Sequence, residues 1–136
     1  MEQRIARLKP ESERQWGSMS VTHMLAHCSL GVEMALGEHL PKRLFLGRII
    51  GTIIKPLVFK DDEPMRRNSP TMLVVSNEGD LATEQRRLCG LIDRFAASGP
   101  QACTRHPHSF FGRLKPEEWA ILMYKHLDHH LRQFGV

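Results

Sequence analysis

The sequence has few of the features that mark secreted, disulfide-bonded or membrane-spanning proteins. It contains three cysteines, Cys28, Cys89 and Cys103. A small, odd number of cysteines provides no disulfide framework and fits a reducing compartment. The N-terminal residues lack the apolar core of a signal peptide. The most apolar stretch, residues 44–59, is broken by charged residues and a proline and is too short to span a bilayer. These absences predict a cytoplasmic protein with no membrane partner.

Runs of one charge sign and internal repeats are also absent. The 19 Lys and Arg residues against 15 Asp and Glu residues give a formal net charge of +4. The basic residues are dispersed and are not interleaved with aromatic residues, so we expect no nucleic-acid partner. The positive balance instead indicates a mild preference for anionic small molecules. With 136 residues, 41% of them hydrophobic, and no linker, the chain is predicted to form one domain over residues 1–136.

Helical periodicity dominates the sequence, and the alternation of apolar and polar residues typical of strands is nearly absent. Capping residues and prolines predict a short helix and four long ones over residues 2–8, 20–36, 41–54, 80–97 and 116–134. Within residues 41–54, the Gly47-x3-Gly51 spacing allows close approach of another helix, in the core or in a dimer. Residues 60–79 form a long loop, with residues 72–75 as a brief extended piece. The predicted fold is all-α, a four-helix bundle with an additional short N-terminal helix.

The last predicted helix carries two histidines in the middle of its apolar stripe. At about 100° per residue, His130 lies about 40° from His126, and Trp119, Met123 and Phe134 lie within about 80° of it. Neutral imidazoles buried side by side leave ring nitrogens unpaired, at about 1–3 kcal/mol for each. Histidines one turn apart can instead bind one metal ion. We therefore predict that His126 and His130 are metal ligands; the alternative is a pair of hydrogen-bonded core histidines.

The helix that begins at Ser20 supplies a third inward-facing histidine. His27 lies on its apolar side, and Gly31, one turn later, leaves space beside the ring. The candidate site for one divalent ion therefore consists of His27, His126 and His130, hereafter the histidine triad. Three protein ligands leave a fourth position for water or substrate, as in catalytic zinc sites. Imidazole ligands suit zinc, nickel, copper or ferrous iron, and the sequence does not choose among them.

Other side chains of the last helix are candidates for the surroundings of the ion. Trp119, Met123 and Phe134 would form the apolar walls of a pocket, although core packing explains them equally well. His129, at the edge of the ligand stripe, is predicted to support the site or to lie at the surface. Gln133 is predicted to hydrogen-bond within the site, where such a contact orients a ligand.

Glu84 is the candidate base of the site. It lies on the apolar arc of the helix that begins at Asp80, where an inward carboxylate would hydrogen-bond a ligand imidazole or take a proton from water at the ion. The alternative, which we favour, is that this first-turn carboxylate only complements the helix dipole.

Two groups of loop residues have weaker functional interpretations. Cys103, His106 and His108 have spacing that permits a rival metal cluster, but they lack the second pair of ligands of a structural zinc site. Surface histidines are the alternative. Arg66 and Arg67 would meet an anionic substrate if the long loop folds over the pocket, and a solvated charge pair is the alternative.

Two segments resemble the DinB-like (YfiT-type) metalloprotein superfamily, and within it a branch of uncharacterised bacterial proteins. They are residues 16–28, WGSMSVTHMLAHC, and residues 126–134, HLDHHLRQF. Residues 111–114, FGRL, and 116–119, PEEW, are typical of that branch. The resemblance implies a four-helix bundle that often dimerises. It also implies a metal held by one histidine of the second helix and a His-x3-His pair of the last, which fall on the histidine triad.

Characterised members of that superfamily include thiol-dependent transferases and isomerases. The resemblance thus implies a metal-dependent enzyme, of thiol-dependent transferase or hydrolase type, that acts on a small molecule with a low-molecular-weight thiol. A metal ion in such a site lowers the pKa of a bound water or thiol, or polarises a carbonyl. One alternative is a non-catalytic, metal-stabilised homodimer acting as a binding or stress-response module. Another is a metal-free dimeric interaction protein with hydrogen-bonded inward histidines.

Overall fold

The structure, a computed structural model, describes residues 1–60, 64–69, 73–76 and 79–136. In these ranges it contains five α-helices and one 3₁₀ turn: α1 Glu2–Ile5, α2 Val21–Leu36, α3 Phe45–Val58, α4 Leu81–Ser98, the turn Pro100–Ala102, and α5 Pro116–Gln133. No β-strand occurs in these ranges, where a single isolated bridge joins His108 to Gly112. The predicted all-α helical bundle is therefore confirmed.

Local capping determines where the three long helices of the core begin and end. The side chains of Ser20 and Asp80 accept hydrogen bonds from backbone N–H groups three residues later, at 3.0 and 2.8 Å, and so satisfy donors at the starts of α2 and α4. Gly37 ends α2 with a φ of +81°, a left-handed conformation that glycine adopts without strain. Pro116 opens α5, where its missing N–H costs nothing.

The core lies between α2, α4 and α5. Helix α2 packs chiefly against α4 and also against α5, and α1 rests on α4. The fully or almost fully buried side chains at this contact include Met24, Leu25, Cys28 and Val32 from α2, Leu88 and Leu91 from α4, and Trp119, Leu127 and Leu131 from α5. Because α2 and α5 pack together, the inward-facing histidines of the two helices meet.

Helix α3 differs from the prediction in its position. It spans residues 45–58 rather than 41–54, because the backbone N–H of Leu44 donates to the Ser109 carbonyl at 2.9 Å and Leu44 itself is extended. This contact with a distant turn keeps the residues after Pro41 out of the helix. Pro56 lies inside α3 and does not end it, since the next turn closes with a hydrogen bond from the Phe59 N–H to the Lys55 carbonyl.

The two glycines of α3 approach a turn rather than another helix. Gly47 and Gly51 are the buried residues of α3. A Cβ atom at Gly51 would lie 2.1 Å from the carbonyl oxygen of Phe110, and one at Gly47 would lie 2.6 Å from the same oxygen. The predicted close approach is therefore present, but its partner is the backbone of the 108–112 turn.

The opposite face of α3 is apolar and exposed. We call it the α3 stripe; its side chains are 54–77% exposed and comprise Phe45, Leu46, Ile49, Ile53 and Leu57. A contiguous apolar patch of this kind is typical of an interaction surface. Across the described ranges, no helix has the length and apolar character needed to cross a membrane.

The long loop before α4 is described only in part. Residues 64–69, 73–76 and 79 contain no helix or strand, which agrees with the loop prediction. The extended piece predicted over residues 72–75 falls partly on Met72, which lies outside the described residues. Leu73 is buried against the core, so this part of the loop is tied to the helices.

Candidate metal centre

Helices α2 and α5 bring the three imidazoles of the histidine triad together. Every pair of ring centroids is 4.8 Å apart. The Nε2 atoms of His27 and His126 are separated by 2.9 Å, and one ligand atom from each residue lies within 4.8 Å of the other two. A tetrahedral ion about 2.0–2.1 Å from each nitrogen needs nitrogen–nitrogen separations of about 3.3 Å. The 2.9 Å separation lies below that value, and the limit of 4.8 Å on the other separations admits it, so small side-chain rotations would let the three nitrogens hold one ion.

Hydrogen bonds on the outer sides of two rings leave their Nε2 atoms facing the centre. The Nδ1 atom of His130 lies 2.9 Å from Oε1 of Gln133. An amide oxygen only accepts, so Nδ1 carries the proton and Nε2 keeps its lone pair. The ring of His27 is hydrogen-bonded to the backbone of Leu73 while its Nε2 faces His126. This arrangement, in which a ligand histidine uses its other nitrogen for an outer partner, is typical of metal sites.

Gln133 is itself fixed by the segment that precedes α2. Its Nε2 donates to the Trp16 carbonyl at 2.8 Å, and this second contact identifies which end of the amide is the oxygen. Gly17 makes room for it: a Cβ there would lie 2.5 Å from the Gln133 Nε2, and the φ of Gly17 is +77°. Sequence reasoning identified Gln133 but missed Trp16 and Gly17. Their only signal was the Trp-Gly pair within the segment that resembles the superfamily.

The electrostatics of the triad favour neutral imidazoles. Burial lowers the pKa of His27 to about 4 and that of His130 to about 3. Burial and then the neighbouring imidazoles lower the pKa of His126 well below its usual value. All three rings are therefore neutral at pH 7, and neutral imidazole is the form that binds a metal ion. Counted over whole residues, His126 is half-buried, whereas His27 and His130 are buried.

The space beside Gly31 is occupied by the ring of His126, whereas the sequence predicted that Gly31 leaves room for His27. A Cβ atom at Gly31 would lie 3.0 Å from the Nδ1 and 3.1 Å from the Cε1 of His126. Contacts this short are tighter than side chains ordinarily make, so alanine at this position would press on the ring of His126.

The remaining residues predicted around the ion fall into two groups. Trp119, Met123 and Phe134 are buried in the hydrophobic core, as the core-packing interpretation of these residues expects. His129 is placed differently: its ring centroid lies 5.1 Å from that of His130 and 5.6 Å from that of Trp16. It therefore stands between the triad and Trp16.

Glu84 is buried, and its carboxylate contacts groups near the start of α4. One carboxylate oxygen accepts the backbone N–H of Gly79 at 2.9 Å, and the other lies 3.4 Å from a guanidinium nitrogen of Arg87. Within the described part of the chain, its carboxylate has no hydrogen bond to the triad. These contacts match the local interpretation of a first-turn carboxylate, and its role as a base stays a prediction.

The rival loop cluster is not brought together. His106 is exposed, whereas His108 is buried and its Nδ1 accepts the backbone N–H groups of Phe110 and Phe111 at 3.0 and 3.2 Å. Burial lowers the pKa of His108 to about 4, so it serves as a neutral acceptor that shapes the turn. Among the described residues, the histidine triad is the one group of three or more His, Cys, Asp or Glu residues placed to hold a metal ion.

Comparison with known proteins gives a family without a described function. None of the curated proteins and none of the solved structures matches the chain. One family model matches residues 2–135, almost the whole chain. The chain therefore belongs to the family described as "Protein of unknown function (DUF1569)".

Proposed function

We propose that this protein is a cytoplasmic, metal-dependent enzyme in which the histidine triad holds one divalent ion, zinc, nickel or ferrous iron. The reaction is of thiol-dependent transferase or hydrolase type and acts on a small molecule. The observation that carries the proposal is the convergence of three neutral imidazoles from two helices. Two of these rings are oriented by outer hydrogen bonds. Such outer partners are typical of ligand histidines.

Membership of the DinB-like superfamily is part of this proposal. The helical bundle, the histidine on α2 and the His-x3-His pair on α5 match the arrangement that the sequence resemblance implies. The use of a low-molecular-weight thiol rests on that resemblance alone, because a fold hosts many activities.

The chain's own residues hold and shield the centre. When bound, a divalent ion supplies Lewis acidity, which lowers the pKa of a water molecule or thiol and polarises a carbonyl. Gln133 keeps the proton of His130 on Nδ1, so Nε2 remains a ligand. We expect the apolar Trp119 and Met123, which are buried on the helix that carries His126 and His130, to keep bulk water from the ion. Three protein ligands leave one position for substrate.

The first test is metal content, measured by plasma mass spectrometry on untagged protein after reconstitution with zinc, nickel or ferrous iron. Wild type should bind about one ion per chain, and His27→Ala, His126→Ala and His130→Ala should each lose it. His106→Ala is the matched control, because His106 is exposed and outside the triad. Well-folded wild type that takes up none of these metals would contradict the proposal. Metal-loaded protein would next be screened for turnover of electrophilic substrates with cellular thiols.

We also propose that a second copy of the chain covers the α3 stripe. The stripe offers large apolar side chains along one helix, and a stable interface buries about 800 Å² on each partner. Light scattering should show a dimer that Ile53→Glu converts to a monomer, whereas Ala82→Glu, at an exposed residue of α4, should leave it dimeric. Monomeric wild type at about 100 µM, a concentration that would fill even a modest interface, would contradict this.

The exposed α3 stripe also favours the second candidate function, a non-catalytic homodimer stabilised by the ion, as a binding or stress-response module. In that case removal of the metal should lower the thermal midpoint, and no thiol-dependent turnover should accompany metal binding. Turnover that disappears with each triad substitution would decide for the enzyme.

A further inference from the structure

A cavity of about 300 Å³ lies between residues 64–67 of the long loop and one face of α5. This volume is at the lower end of the range for small-molecule sites. His129 and Trp16 both line it, and their ring centroids are 5.6 Å apart. His129 also contacts His130, with 5.1 Å between ring centroids. One side chain therefore forms a wall shared by the cavity and the proposed metal centre.

The cavity is strongly cationic. Among the described lining residues, four have basic side chains and one, Asp128, has a carboxylate. Asp128 is already paired, since its oxygens lie 2.7 Å from a nitrogen of Arg4 and 2.8 Å from Nε of Arg132. Lys125, another lining residue, donates to the backbone carbonyls of Val58 and Lys60, and it forms no ion pair with a carboxylate of the described residues. The described residues therefore leave the positive charge of the cavity largely uncompensated.

Arg66 and Arg67 are the cations available to a ligand. Neither forms an ion pair with another described residue. The guanidinium carbon of Arg67 lies 4.1 Å from the centroid of the Trp16 ring. A guanidinium stacked on an aromatic face keeps its in-plane N–H groups available, and these match the two oxygens of a carboxylate. The indole and Met65, which also lines the cavity, offer apolar contact for the rest of an organic acid.

We propose that this cavity binds the carboxylate of a small organic acid through Arg67 and Arg66. The inference rests on the proposed function, because it names the substrate class of the enzyme whose metal centre shares the His129 wall. It extends the weak preference for anions indicated by the overall charge to a particular site. The alternative is that Arg66 and Arg67 are only a solvated charge pair, and the experiment must exclude it.

The test uses the two tryptophan indole N–H resonances, from Trp16 and Trp119, in ¹H–¹⁵N spectra of metal-free and zinc-loaded protein. Benzoate should shift the Trp16 resonance saturably in both forms and leave that of the buried Trp119 in place, whereas the neutral benzamide should shift neither. Arg67→Gln should weaken benzoate binding by about tenfold, the effect of losing one charge-assisted pair. Arg105→Gln, an exposed arginine outside the cavity, is the matched control and should bind as wild type.

The outcomes separate the cavity from the metal centre. Absence of a Trp16 shift, or equal benzoate binding by Arg67→Gln and wild type, would overturn the inference while leaving the metal centre intact. If benzoate binding requires zinc and is unchanged in Arg67→Gln, the carboxylate binds the metal ion rather than the cavity, and the inference is also overturned. Saturable binding of inorganic phosphate without benzoate binding would overturn the assignment to carboxylates. Benzoate binding by a chain that takes up no metal would sustain the cavity and overturn the proposed enzyme.

Discussion

Replacement of Gln133 by methionine should weaken metal binding, although Gln133 itself is not a metal ligand. The substitution removes the hydrogen bond that Gln133 makes with His130. Gln133 is 4% exposed. Its Oε1 lies 2.9 Å from Nδ1 of His130, and its Nε2 donates to the Trp16 carbonyl at 2.8 Å. Methionine has a similar length and lacks both the amide acceptor and the donor. The His130 ring is then free to rotate or to move its proton to Nε2, which removes a ligand.

The size of the effect follows from these two contacts. Loss of an outer hydrogen-bond partner of a ligand costs about 10–100-fold in metal affinity. Each buried group left without a partner costs about 1–3 kcal/mol of stability. We expect a total of about 2–4 kcal/mol for the metal-free protein, because Trp16 is only half-buried and its carbonyl can find water.

Gln133→Glu separates the two roles. Glutamate keeps an acceptor for His130 but cannot donate to the Trp16 carbonyl, so zinc affinity should stay within about threefold while the free energy of unfolding falls. Gln85→Met is the matched control: Gln85 donates to the carbonyls of Ile5 and Leu8 at 2.8 and 3.2 Å, away from the triad. It should lose stability and keep zinc affinity. Chelator competition and urea unfolding supply the two measurements. Wild-type zinc affinity in Gln133→Met would refute the reasoning.

Three further predictions concern two glycines that leave room for a neighbouring group and the protonation of the histidine triad. Gly31→Ala should lower zinc affinity by about tenfold in chelator competition, because its Cβ would lie 3.0 Å from a triad nitrogen; Gly90→Ala, whose Cβ would have no neighbour within 4 Å, should leave affinity unchanged. Gly51→Ala should cost about 1–3 kcal/mol in thermal unfolding, because its Cβ would lie 2.1 Å from the Phe110 carbonyl oxygen; an unchanged midpoint would contradict the close approach. The metal-free protein should lose stability as the pH falls from about 6.5, the unfolded histidine pKa, towards the lower folded pKa values of the triad, about 4 at His27. The unfolded chain binds more protons there, so the slope reaches about 1.4 kcal/mol per pH unit for each histidine; urea unfolding with equal stability at pH 7.5 and 5 would be inconsistent with buried neutral rings.

The sequence predicted features that depend on residues within one helix. Capping by Ser20 and Asp80 located the starts of α2 and α4, because a cap acts on backbone groups three residues away. The histidine triad could also be predicted from the sequence. Helical periodicity specifies which histidines face inward, and two inward faces of a small bundle must meet.

The start of α3 and the anchoring of Gln133 were not predictable in this way. Leu44 bonds to a carbonyl 65 residues later in the chain, that of Ser109, and Gln133 bonds to Trp16, 117 residues earlier. No periodicity or propensity reports such a pairing, because it depends on where loops lie after the helices have packed. Proline is favourable at the start of a helix, so Pro41 predicted a start at residue 41. The tertiary contact between Leu44 and Ser109 instead places the start of α3 at residue 45.

The same long-range pairing gives the proposed ion a specific effect on the fold. His27 and His126 are 99 residues apart in the chain, so an ion held by both ties α2 to α5. An ion that binds only the folded state adds its binding free energy to stability, about 4 kcal/mol at a thousandfold excess over the dissociation constant. That free energy acts on the α2–α5 contact and on the segment at Trp16, which Gln133 links to His130. Helix α3 packs through Gly47 and Gly51 on the 108–112 turn. Within the described residues, only its C-terminal turn contacts α5, through the Lys55–Glu118 ion pair and the hydrogen bond from Lys125 to the Val58 carbonyl. Amide exchange should therefore slow most in α2 and α5 when zinc binds, and exchange through local opening should stay unchanged in the first two turns of α3, which hold Gly47 and Gly51.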